Sequence, residues 1–324
     1  MKKWMKAIAT MMVVSMAMTG CGGGSDDAAN SDASYTVGIV QQLEHPALDA
    51  ATLGFQEKLT ELLDGNVAFD YQNAQGEQTN CTTIATKFVS DGVDLIMANA
   101  TTALQSAAAA TADIPIVGTS VTDYVTAGVV DSNEAPGRNV TGASDLAPID
   151  EQIAILMELI PDVQKVGILY CSAEPNSLYQ SKLAQAELDK AGVAWAEYTA
   201  ADSNEVQSVV TKAVSECDVL YVPTDNTMAN NTEIIKNVAV PAGVPVIAGE
   251  EGICAGCGVA TLSISYYDLG AKAAEMAYEI LVNGANPAEM PIEYVSEGIT
   301  EKYNAEIAET LNIAIPEGMV AIGE

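Results

Sequence analysis

From Tyr35 onward the chain repeats one pattern, and that repetition leaves few folds open to it. Short β-branched runs alternate with alanine-rich stretches of helical length. In the first half, residues 35–40, 67–71, 93–98 and 114–118 read as buried strands, and residues 46–63, 76–91 and 101–112 as helices. Pro46 suits a first helical turn, and Gly65 lies just past the apolar stripe. Alternation of this kind predicts a parallel sheet covered by helices on both faces. The same order then returns. Val37-Gly38-Ile39 is answered by Val166-Gly167-Ile168, Asp94-Leu95-Ile96 by Asp218-Val219-Leu220, and Ile114-Pro115-Ile116 by Val244-Pro245-Val246. The proline follows the first valine by 78 residues in one half and by 79 in the other. The fold class expected is α/β, with two doubly wound parallel-sheet lobes joined by a hinge.

Upstream of this pattern, Lys2, Lys3 and Lys6 flank an apolar run over residues 7–18, and Met18-Thr19-Gly20-Cys21 follows. The run is too short to span a bilayer and resembles a bacterial lipoprotein leader, with Cys21 as the acylated first residue of the mature chain. Residues 1–20 are thus expected to be a signal peptide and residues 21–34 a flexible tether. Without residues 1–20, ten Lys and Arg stand against 44 Asp and Glu, a formal charge of −34. Such a surface repels phosphate backbones, so nucleic acid is not an expected partner. It also repels anionic lipid, so membrane contact is expected through the lipid on Cys21 alone, at an extracytoplasmic surface.

Metal and redox chemistry find little support. Cys254-Ala255-Gly256-Cys257 has half-site spacing, but no second pair follows and His45 is the only histidine. A local disulfide or two free thiols are the readings left for that pair. No cofactor or metal is expected. Catalysis fares no better, since a Ser-His-Asp set has only His45 to draw on and neither a GxSxG elbow nor a Gly-Lys phosphate loop occurs.

In open parallel sheets ligands bind beyond the carboxyl ends of the strands. In the first lobe these ends run into Gln41-Gln42-Leu43-Glu44-His45-Pro46, Asn99-Ala100-Thr101-Thr102 and Thr119-Ser120-Val121-Thr122-Asp123-Tyr124. In the second they run into Cys171-Ser172-Ala173-Glu174-Pro175-Asn176-Ser177, Pro223-Thr224-Asp225-Asn226 and Gly249-Glu250-Glu251-Gly252. Two such edges facing each other make a polar cleft. Between the halves lies Pro136-Gly137-Arg138-Asn139-Val140-Thr141-Gly142, which reads as a bendable crossover, with Arg138, the only arginine, favoured as its salt-bridge pin over a ligand contact.

The ordered set Glu44-His45-Pro46-Ala47-Leu48-Asp49, Val121-Thr122-Asp123, Asn139-Val140-Thr141-Gly142, Glu174-Pro175-Asn176-Ser177 and Pro223-Thr224-Asp225-Asn226 resembles the tryptophan/tyrosine-type substrate-binding lipoproteins that serve ABC importers. The resemblance runs from about Tyr35 into the tail. It implies a type I periplasmic-binding-protein fold, with ABC permease and ATPase subunits as partners. It also implies crossovers at residues 138–142, 263–266 and near Pro291. The lobes then comprise residues 35–140 with about 265–290, and 141–264 with about 291–324. Tyr124 stands where the family usually has proline.

An amino-acid zwitterion needs an acceptor for its ammonium and donors for its carboxylate. Asp225 is the first choice of acceptor, followed by Glu174, Asp123 and Glu250. The carboxylate would take helix N-termini assisted by Thr101, Thr102, Ser120 or Ser177. Tyr124, Tyr170 or Tyr221 would supply a flat wall, although packing is the favoured role for Tyr221. His45 either caps its helix or touches ligand, and Gln42, Pro46, Ala100, Asn176, Asn226 and Gly249 complete the expected lining. The chain reads as a lipid-anchored receptor for an aromatic or apolar L-amino acid, not an enzyme. A nucleoside or sugar receptor of the same fold, and more remotely a surface hydrolase, are the alternatives.

Overall fold

The computed structural model describes residues 35–295 and 299–323, so the leader and Cys21 lie outside the described residues. The first lobe alternates β1 (Tyr35–Gln41), α1 (Pro46–Leu62), β2 (Val67–Asn73), α2 (Gln78–Asp91), β3 (Leu95–Asn99), α3 (Thr101–Ala110) and β4 (Ile116–Val121), and ends with β5 (Val140–Ser144). These strands pair in parallel in the order β2-β1-β3-β4-β5. Helices cover both faces, which is why β1, β3 and β4 are buried through their apolar and small residues without alternation, with polar Gln41 and Asn99 only at the carboxyl ends of β1 and β3.

The second lobe runs α4 (Ile149–Leu159), β6 (Lys165–Cys171), α5 (Pro175–Ala191), β7 (Ala194–Ala200), α6 (Val206–Glu216), β8 (Val219–Val222), α7 (Asn226–Ala229), α8 (Thr232–Ala239), β9 (Val246–Ala248), α9 (Glu251–Cys257) and β10 (Ala260–Ser263). Its parallel order, β7-β6-β8-β9-β10, mirrors the first. The chain then returns as α10 (Tyr266–Leu281), which packs on α1, and β11 (Glu293–Tyr294), which pairs with β5. It crosses again to β12 (Thr300–Tyr303), antiparallel to β10, then α11 (Ala305–Thr310) and β13 (Val320–Ala321).

Two expected crossovers move. Val140, Thr141 and Gly142 are not a hinge but the start of β5, buried in register with Ile116, Val117 and Gly118. The first crossover therefore follows Ser144. Arg138 and Asn139 lie just ahead of that strand. Arg138 bonds Asp131 at 3.2 Å and the Gly128 carbonyl at 3.1 Å, while the Asn139 amide bonds the Thr111 and Ile114 carbonyls. The third crossover follows Tyr294 instead of lying near Pro291, because β11 still belongs to the first sheet. Residues 141–144 and 291–294 thus join the first lobe.

Among the described residues the five cysteines are free and buried. Cys254 and Cys257 sit on α9 inside the second-lobe core, against Val222, Val246 and Met228. Of the two readings left open for this pair, the structure has the free thiols.

Candidate functional site

The carboxyl ends of both sheets face one another, and side chains from the two lobes meet between them. His45, the residue before α1, places Nε2 3.2 Å from Asn226 Oδ1 at the start of α7. Gln180 on α5 donates to Thr122 Oγ1 beyond β4 at 3.1 Å. Each bond joins one lobe to the other, so the lobes are closed on each other.

Between these contacts lies a narrow polar cavity of about 10 Å³, room for about one water or one ammonium group. The first lobe contributes His45, Leu48 and Ser120 to its wall, the second contributes Asn176, Thr224, Asp225, Asn226 and Glu250, and Asp145 and Tyr266 enter from the first and second crossovers. To one side, an open groove carries Pro46, Ala47, Ala50, Ile264 and Tyr267. To the other, Gln42 and Thr102 face Glu174 and Thr227.

Backbone strain concentrates on the first-lobe rim. Ser120 has φ 55°, and the β4–β5 register shifts between Gly118 and Val121. Ala100, at the head of α3, has φ 86°. Side chains other than glycine adopt such angles at a cost, and they gather where a binding site needs backbone turned inward.

The acidic residues behave differently from the expectation built on them. Asp225 caps α7: Oδ1 accepts from Met228 N at 2.7 Å and Oδ2 from Cys171 N at 2.6 Å. Glu174 ties down the same turn. Its Oε2 accepts from Asn226 N at 3.0 Å and Asn226 Nδ2 at 2.8 Å, and its Oε1 from Thr227 N at 2.8 Å. Glu250 caps α9, accepting from Gly252 N and Ile253 N at 2.5 Å each. An acidic residue ahead of a helix does this for local reasons, because the first-turn N–H groups lack partners. Three of the cavity's carboxyls are also buried without a cation. Burial pushes Glu250 up to about 7 and Asp145 up to about 6. Burial raises Asp225 as well, and the Glu174 carboxylate adds to the rise.

The structure brings His45, Ser120, Asn176, Asp225, Asn226 and Glu250 to one cavity, with Gln42, Thr102 and Glu174 on one flank and Pro46 on the other. Thr101 and Ser177 lie buried behind the rim, and the Gly249 carbonyl accepts from Gln152 Nε2 at 3.0 Å. The N-terminus of α3 is not open, since Gln42 Oε1 already accepts from Thr102 N at 3.2 Å.

Two expected contacts are corrected. Asp123 closes its own turn, accepting from Thr126 N at 2.6 Å. Tyr124 is fully buried in the first-lobe core and donates to the Ala143 carbonyl at 3.0 Å. Its ring lies over Gly118 and Gly142, where an added Cβ would come within 2.6 and 2.4 Å of Tyr124 Oη. The residue that departs from the family's proline thus fills a slot made by two glycines and is no ligand wall. Tyr170 donates to Glu197 at 2.7 Å, and Tyr221, fully buried, donates to Gln152 at 2.7 Å.

Asp145 and Tyr266 were not anticipated. Tyr266 Oη lies 3.0 Å from Asp145 Oδ2, and Thr122 Oγ1 donates to Asp145 Oδ1 at 2.9 Å. Had residues 140–144 been read as a strand, the rule that found the other rim residues would have reached Asp145 directly after it.

Residues 36–323 match the family described as ABC transporter substrate binding protein. A tyrosine-binding protein of Clostridioides difficile is 39% identical over 300 residues, covering 90% of this chain and 86% of that one. Among solved structures, an ABC domain in complex with L-Trp from Streptococcus pneumonia superposes with a TM-score of 0.85 at 33% identity, covering 90% of this chain and 100% of that one. The ligand-free, open structure of a substrate-binding protein with adhesive properties from Clostridium difficile gives 0.69 at 37% identity, covering 89% and 99%. With two type I periplasmic-binding-protein lobes closed over a polar cavity, the chain belongs to the ABC transporter substrate-binding protein family.

Proposed function

We propose that this substrate-binding protein captures an aromatic L-amino acid between its lobes and presents the closed form to its permease. The observation that carries the reading is the pairing of site and relatives. A cavity lined by buried carboxyls and amides, with no Lys or Arg among its described lining residues, adjoins a groove that is apolar along Pro46, Ala47, Ala50 and Ile264 and carries the Glu251–Lys302 ion pair. The relatives are a tyrosine-binding protein and a complex with L-Trp. An ammonium suits the polar centre and an aromatic ring suits the groove of Pro46, Ala47, Ala50 and Ile264. A phosphate or a second carboxylate would meet like charge. Closure fits the same reading, because the chain superposes better on the L-Trp complex than on the open, ligand-free relative, despite lower identity to the former. A ligand holds the closed state only through contacts made there with both lobes.

Calorimetric titration of residues 25–324 with L-tyrosine, L-tryptophan and L-phenylalanine tests this. Binding of at least one is expected, with a stabilisation of about 2.7 kcal/mol at a ligand concentration of 100 Kd. Heat from a nucleoside or sugar, with none from the amino acids, would transfer the site to the other receptor class.

The acylated Cys21 and its glycine-rich tether belong to the same reading. They would keep the receptor near its importer by raising local concentration, without fixing its orientation. A Cys21→Ser variant is then expected in the soluble extracytoplasmic fraction, and its retention on membranes would discard the lipid anchor.

A further inference from the structure

Two polar side-chain atoms in the cavity wall lack a hydrogen-bond partner, His45 Nδ1 and Ser120 Oγ. Their residues are only 7% and 6% exposed. Buried polar atoms without partners are rare in folded proteins, and here both belong to the first lobe and face one enclosed space.

The polarity of the contacts around His45 is set step by step. The Glu174 carboxylate only accepts, and it holds both Asn226 N and Asn226 Nδ2. The Asn226 amide cannot turn over without setting its oxygen against that carboxylate. Asn226 Oδ1 is therefore the atom presented across the cleft, 3.2 Å from His45 Nε2. An amide oxygen also only accepts, so Nε2 must carry the proton. Burial lowers the pKa of His45 and keeps the ring neutral, against the opposing pull of Asn226, Glu174 and Asp49. A neutral ring protonated at Nε2 has a bare lone pair at Nδ1. That atom makes no bond to the head of α1, whose first turn has no side-chain cap.

We propose that His45 is the acceptor for the ligand's ammonium, and that lobe closure itself selects the tautomer that can accept. When the lobes part, Asn226 leaves with the second lobe and nothing holds the proton on Nε2. When they close, the relay from Glu174 through Asn226 fixes it there and turns Nδ1 into an acceptor. Glu174 and Asn226 are then positioning residues, and a ligand with a donor at this point is favoured by the closed form over one without. This inference rests on the amino-acid reading of the cleft.

His45 is the only histidine in the chain, so its ring nitrogens can be followed by ¹⁵N NMR without assignment ambiguity. With saturating L-tyrosine or L-tryptophan at neutral pH, a neutral ring protonated at Nε2 is expected, with the Nδ1 resonance shifted by hydrogen bonding. A ring protonated at Nδ1, or an imidazolium, in that complex overturns the proposal. In the isosteric Glu174→Gln variant a second tautomer is expected to appear and affinity to fall about 10- to 100-fold, the size of one hydrogen bond to a charged group. His45→Gln, which leaves Glu174 and Asn226 in place, should lose a similar factor if the variant at 174 proves unstable. Unchanged affinity in His45→Gln sinks the inference while leaving the amino-acid reading intact. No binding of any amino acid to the wild type removes both.

Discussion

Gly270→Ala and Gly54→Ala are each expected to lower unfolding stability by about 2–3 kcal/mol, although each swaps a helix-interior glycine for the best helix former. The reason is the crossing of α1 and α10. A Cβ at Gly270 would stand 1.9 Å from the Ala51 carbonyl oxygen, and one at Gly54 would stand 2.1 Å from the Tyr267 carbonyl oxygen. Both obstacles are helix backbone, so no side-chain rotation relieves them and one helix must shift against the other. The gain in helix propensity is at most about 1 kcal/mol and does not offset that shift. The effect reaches the cleft because Tyr266, the first residue of α10, bonds Asp145 in the cavity wall. Urea unfolding measures the first consequence and ligand titration the second. Midpoints equal to wild type in both variants would mean that the helices do not approach this closely in solution.

The repeated strands were legible because they are continuous apolar runs buried on both faces, and such runs carry their burial in their own composition. The start of β5 was not. Asn139-Val140-Thr141-Gly142 reads as a bend when taken alone, and only the neighbouring Gly118 backbone and the Tyr124 ring, which leave no room for a Cβ at 142, explain why a glycine belongs inside a buried strand. The same distant contact accounts for Tyr124, which a reading of loops at strand ends puts in the cleft. Rim position was therefore easier to foresee than rim chemistry. Asp225, Glu174 and Glu250 do reach the cleft, yet their oxygens are taken up by backbone N–H groups of their own lobe. For Asp225 and Glu250 the N-cap preference of acidic residues held that information locally, whereas Glu174 does not cap its own helix and holds the turn at Asn226 and Thr227 instead. Asn226, which carries the contact across the lobes, gives no local sign of doing so, because its orientation depends on Glu174, 52 residues away.

Ligand affinity is expected to fall as the pH drops, while the stability of the ligand-free protein rises, and the same buried carboxyls account for both. In the ligand-free closed form burial raises Asp145 to about 6 and Glu250 to about 7, and it raises Asp225 too. In the unfolded chain these groups titrate near 4. Between about pH 4 and pH 7 the native state therefore holds more protons than the unfolded state, so stability falls as pH rises through that window. An ammonium in the cavity reverses the preference. It favours the ionised carboxyls, lowers their pKa values, and drives protons off on binding. Affinity then climbs with pH, about tenfold per unit wherever one proton is released, and levels off above the ligand-free pKa values. Calorimetry at pH 6 in buffers of different ionisation enthalpy would count the released protons directly, and Glu250→Gln should flatten the upper part of the profile. Equal affinity at pH 5.5 and pH 8, with no buffer dependence of the heat, would place the ammonium outside this cavity. The opposed slopes are the distinguishing mark, because general damage to the fold by acid would weaken stability and binding together.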